Sequence, residues 1–89
     1  RDPAEGARWY RKSAEQGDAN GQRDLAALYE KGLGVPRDPI LALMWATLAA
    51  AQDDAEAIKL RDRLTKAMGP AQVAEAKKLA AAWKPAVQR

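Results

Sequence analysis

An all-α fold, a short solenoid of stacked helical hairpins, is predicted for this 89-residue chain by three observations. Only seven residues are β-branched (Val, Ile or Thr), while Ala, Leu, Lys, Arg, Glu and Gln, the strong helix formers, dominate. Asp, Pro and Gly punctuate the chain at helix-length intervals. The chain also repeats itself. A shift of 36 residues pairs Arg1 with Arg37, Asp2 with Asp38, Pro3 with Pro39, Trp9 with Trp45 and Ala14 with Ala50. It further pairs Gln16 with Gln52, Asp18 with Asp54, Ala19 with Ala55 and Leu28 with Leu64. Self-similarity at a period of roughly 20–50 residues marks a repeat architecture, in which copies stack because one hairpin cannot bury its apolar face alone. The length suits one small domain, 1–89.

Five helices follow in order. The first, 3–16, starts where Asp2 can cap and Pro3 occupies the first helical position, and Glu5 adds a capping-box spacing. Gly17 stops it, and Asp18 opens the second, 19–31, which ends at Gly32. Asp38-Pro39 repeats the first start and gives a helix over 39–52. Asp53-Asp54 precedes the fourth, 55–67, with Asp53 and Glu56 at capping-box spacing and Gly69 as a left-handed stop. The fifth spans 70–83 and leaves a tail, 84–89.

The apolar content is 47%, yet half of it is alanine, and no Phe is present. Such a core is marginal in a chain this short. The polar stripe Glu5, Arg8 and Lys12 of the first helix becomes Leu41, Met44 and Leu48 under the repeat shift. A helix apolar almost all round is a buried one. The fifth helix, with Val73, Ala76, Leu79, Ala80 and Trp83 on one side, is the expected cover, as terminal caps are in solenoids. Left uncovered, Leu41, Met44 and Leu48 would form an apolar partner-binding patch. Trp9, Trp45 and Tyr29 are expected to pack between helices.

Chemistry is mostly excluded. The chain has no Cys and no His, hence no thiol nucleophile, no thiolate metal site and no imidazole base. Ser13, the single serine, has nothing to activate it. Gly32-Leu33-Gly34 reads as helix termination plus a turn, not a phosphate loop. Asp53-Asp54 reads as a cap, not a metal site. No catalytic residue, metal ligand or cofactor is expected. The net charge of +3 is interspersed, and no apolar run reaches the ~20 residues of a membrane span.

The stretch Ala7-Arg8-Trp9-Tyr10-Arg11-Lys12-Ser13-Ala14-Glu15-Gln16-Gly17-Asp18-Ala19 resembles the Sel1-like repeat family, as does Leu25-Ala26-Ala27-Leu28-Tyr29-Glu30-Lys31-Gly32-Leu33-Gly34-Val35-Pro36-Arg37-Asp38. The likeness covers about residues 2–68. It departs at Ala26, where the family carries glycine, and at Leu60–Leu64, where the Tyr and the G-x-G turn are lost. The resemblance implies a right-handed solenoid related to tetratricopeptide repeats. In it 19–31 and 55–67 line the concave face, and 3–16 and 39–52 lie on the convex side. It also implies further repeats upstream, so that Ala7, Trp9, Tyr10 and Ala14 of the uncapped first helix would support end-to-end self-association.

The implied function is a non-enzymatic scaffold or adaptor that binds a peptide or protein on its concave face. Carried over by position, the first concave helix presents Asn20, Arg23, Ala27, Glu30 and Lys31. Helical spacing adds Glu56, Lys59, Arg63 and Lys66, with Leu60, Leu64 and Ala67 turned to the core. Five of these groove positions are basic and two acidic, which favours an acidic segment or a C-terminal carboxylate. The competing expectation is an ordinary solvated face laced by Glu56–Lys59 and Asp62–Lys66 pairs. Two alternatives are weaker. Cysteine-rich relatives are linked to β-lactam hydrolysis, but their cysteines are absent here, and nucleic-acid binding lacks a stacking platform. The resemblance leans to a bacterial regulator in the envelope or periplasm, while a cysteine-free chain suits either redox environment.

Overall fold

A computed structural model describes residues 2–86; Arg1 and the end of the expected tail, 87–89, lie outside the described residues. It contains α1 (Pro3–Glu15), α2 (Ala19–Lys31), α3 (Pro39–Ala50), α4 (Ala55–Ala67) and α5 (Pro70–Ala82), with no strand among the described residues.

The capping chemistry explains the starts. Asp2 accepts from Ala4 N, Asp18 from Gly21 N, Asp38 from Leu41 N and Asp54 from Ala57 N, at 2.8–3.1 Å. Each carboxylate thus satisfies an amide that the first helical turn leaves unpaired. Asp53 is therefore not a cap. It sits in the left-handed region at φ 66, the place Gly17 (φ 95) holds one repeat earlier. Gly69 is likewise not a left-handed stop but the extended N-cap of α5, whose amide donates to Gln72 Oε1 at 3.4 Å. Three helices end one or two residues before the expected 16, 52 and 83. Tight turns close α1 and α3, and Trp83 is already extended.

Packing is organised around α3, which contacts α2, α4 and α5, while α1 lies chiefly on α2. The core joins Leu25, Tyr29, Leu43, Met44, Trp45, Leu60 and Leu64 to fully buried alanines such as Ala14, Ala26, Ala42 and Ala46. Small residues let the helix axes approach closely, so a core poor in bulky groups is still filled. Ala26 takes part in this core without leaving it exposed. Helices α1 and α2 come close at Gly21, where an added Cβ would lie 2.4 Å from Ser13 Oγ and 2.9 Å from Ala14 N.

Polar groups close the ends. Buried Gln22 donates to Ala14 O and accepts from Gln52, which also donates to Gly17 O, stitching α1, α2 and the end of α3 together. Arg11 donates to the Tyr29 hydroxyl at 2.6 Å. The turn after α2 uses left-handed Gly32 and Gly34, and the second abuts Pro3, where a Cβ would meet the carbonyl oxygen at 2.3 Å.

The C-terminal segment runs back across the molecule. Trp83 meets Trp45 edge-on at 5.9 Å, and Ala86 N donates to Glu15 O at 2.7 Å. Met44 is buried and Leu41 and Leu48 are half-buried against the core, with α5 packed on α3. Two expected core positions are not in the core. Ala67, in the last turn of α4, is exposed, and Trp9 is 66% exposed, on a side of α1 that no helix covers among the described residues.

Candidate functional site

Helices α2 and α4 are repeat equivalents, so corresponding side chains of the two stand side by side. Between them runs a groove of about 390 Å³ lined by Arg23, Asp24, Ala27, Glu30 and Lys31 of α2 and by Glu56, Lys59, Leu60 and Arg63 of α4. Seven of the nine positions expected on the concave face are brought together here. Lys66 lies beyond them, lining a shallower depression with Lys59, Asp62, Arg63 and Ala67. Asn20 is exposed on the first turn of α2, outside the groove.

Two lining residues, Asp24 and Leu60, escape the sequence argument. Leu60 is buried, as its core assignment required, yet one edge of it reaches the groove between Lys59 and Arg63. Helical spacing gives each residue one direction, and a floor position faces two surroundings at once. Asp24 carried a signal in its place directly after Arg23, whose guanidinium it contacts.

The electrostatics differ from a count of charges. Arg23 Nη1 lies 3.0 Å from Asp54 Oδ2, and its Nε lies 3.3 Å from Asp24 Oδ1. It thereby ties α2 to the carboxylate that caps α4. Arg63 grips Glu30 across the groove in a two-pronged pair, Nη1 to Oε2 and Nη2 to Oε1. Bidentate geometry of this kind gives the stronger guanidinium–carboxylate contacts. The hydrogen bond to Glu30, then its charge, raises the Arg63 pKa above its ordinary value. Lys59 pairs loosely with Glu56 at 3.7 Å. The Asp62–Lys66 pair does not form, since Asp62 takes Arg61 instead at 3.1 Å.

Among the described residues Lys31 and Lys66 meet no carboxylate at ion-pair distance, and Lys59 meets only one that is itself well exposed. Arg23 and Arg63 are structural cations; Lys31 and Lys59 are the groove's available ones, with Lys66 in the depression just beyond it. Among the described residues no cluster of His, Cys, Asp and Glu could hold a metal ion. No helix among them is long and apolar enough to cross a membrane.

The Sel1 repeat family model matches residues 1–18 and 19–54. No curated protein matches the chain. Among solved structures, the chain is similar to a protective antigen present in uropathogenic Escherichia coli strains displaying an SLR fold. The TM-score is 0.85 at 34% identity, and the match covers 89% of this chain but 17% of that one. Sel1 repeat solenoids typically serve as protein–protein interaction modules and are generally non-enzymatic. The repeat punctuation, the hairpin stacking around α3 and the two matched segments agree: this chain belongs to the Sel1 repeat family.

Proposed function

We propose that the α2–α4 groove binds an extended segment of a partner protein, with an acidic side chain or terminal carboxylate set over Lys31, Lys59 and Lys66. The observation that carries this reading is the groove itself. Its two walls come from equivalent repeat positions, its floor holds Ala27 and Leu60, and its fixed ion pairs leave lysines at the rim. An apolar floor supplies affinity through burial, and exposed lysines above it select sign and direction.

The probe is a fluorescent panel of acidic, neutral and basic heptapeptides, each with free and amidated C-termini, titrated against the full chain. Acidic members are expected to bind best. The double reversal Lys31→Glu/Lys59→Glu should weaken them about tenfold or more, a loss of roughly 1.4 kcal/mol. Arg23 and Arg63 are poor targets, since reversing either breaks a contact between helices. Equal binding of acidic and basic members, or undiminished binding by the double variant, would refute the proposal.

A further inference from the structure

We infer that α1 carries a self-complementary stripe through which two copies of this chain pair antiparallel about a two-fold axis. Glu5, Arg8, Trp9 and Lys12 stand at helical spacings i, i+3, i+4 and i+7 and line one depression of about 290 Å³. Trp9 is exposed within it, and neighbouring Tyr10 is exposed as well. The stripe shares no residue with the α2–α4 groove.

The repeat gives the stripe its meaning. A shift of 36 residues maps it onto Leu41, Met44, Trp45 and Leu48 of α3. There the tryptophan is buried and meets Trp83 edge-on, beneath the chain's own C-terminal segment. The first copy keeps the tryptophan but exchanges its apolar neighbours for one acid and two bases. Bare apolar surface is not what this change produces. It produces a tryptophan with a charged rim, which is how the centre and edge of a protein interface divide.

The order of the charges selects the partner. Two such helices laid antiparallel, with the axis passing between Arg8 and Trp9, set Glu5 of each copy opposite Lys12 of the other. They also set Arg8 of each copy over the Trp9 ring of the other, a guanidinium–aromatic contact. Parallel pairing would put Glu5 against Glu5 and Lys12 against Lys12, which repels. A two-fold interface must be complementary to itself, and this stripe is so in one direction only. With a single helix from each side, the interface falls below the roughly 1,600 Å² of a stable complex. The dimer is therefore weak, concentration-dependent and loosened by salt.

Sedimentation equilibrium of the full chain over rising concentration tests this, with circular dichroism confirming helix content in every variant. The chain should pass from monomer to dimer and no further. Glu5→Lys alone and Lys12→Glu alone each set like charges opposite one another and should raise the dissociation constant about tenfold. The combined Glu5→Lys/Lys12→Glu variant restores opposite signs and should recover association, while Trp9→Ala should abolish it. A monomer at every concentration overturns the inference. So do single reversals without effect, a combined variant no better than the singles, or assembly beyond a dimer.

Discussion

Gly21 fixes how near α1 comes to α2. With hydrogen as its side chain the helices meet at Ser13 and Ala14, and the Ser13 hydroxyl can donate to the Asp18 cap at 3.0 Å. In sequence it reads only as a glycine inside a helix, a cost without a visible return. Its use is legible only once the facing helix is in place. Gly21→Ala raises helix propensity, so propensity alone predicts stabilisation. Overpacking against backbone predicts the reverse and should prevail, at about 1–3 kcal/mol. Urea unfolding followed by circular dichroism decides the sign. Trp9 shows the same dependence on neighbours from the other side. Its repeat equivalent Trp45 is buried beneath Trp83, while nothing among the described residues covers Trp9, so identical residues in identical helical positions end in different surroundings.

At the scale of the element, the starts were readable because a cap is a local interaction. A carboxylate and an amide within three residues suffice, and no distant contact enters. The one misplacement, Asp53 for Asp54, arises where two candidates adjoin. The repeat resolves it, since Asp18 aligns with Asp54 and Gly17 with Asp53. An aspartate held at φ 66 carries a backbone cost that glycine escapes. Asp53→Gly should therefore stabilise the entry to α4 by about 0.5 kcal/mol, the relief being offset in part by glycine's greater freedom in the unfolded chain. A thermal midpoint that stays put or falls would contradict this. Gly69 was misassigned for a related reason: glycine serves both ends of a helix, and only the backbone angle shows which.

Across the whole molecule, α3 is the shared seam and α5 its cover. Helix α5 buries only Ala76 completely, and its hold on α3 depends on Val73, Leu79 and Trp83 wedged against the core. Deleting residues 70–89 would bare Leu41, Met44, Trp45 and Leu48 together. The shortened chain should bind a hydrophobic dye and form aggregates larger than the full chain does. A shortened chain that sediments and stains like the full one would show that α5 is dispensable. The groove is a property of the same scale. Seven of its lining residues are positions that the family resemblance and helical spacing named, but its charge was not legible that way. Arg23 finds Asp54 thirty-one positions away and Arg63 finds Glu30 thirty-three away. Side chains that sequence arithmetic counts as free cations are in fact fastenings between helices.

Helix starts, the 36-residue period and the all-α class were determined by the sequence alone, because each rests on contacts within a few residues or on direct repetition. Which cations remain available, how closely α1 and α2 approach, and which tryptophan is covered were decided only by the tertiary structure. Those properties depend on pairs of atoms far apart in the chain, and their distances exist only after the helices have packed.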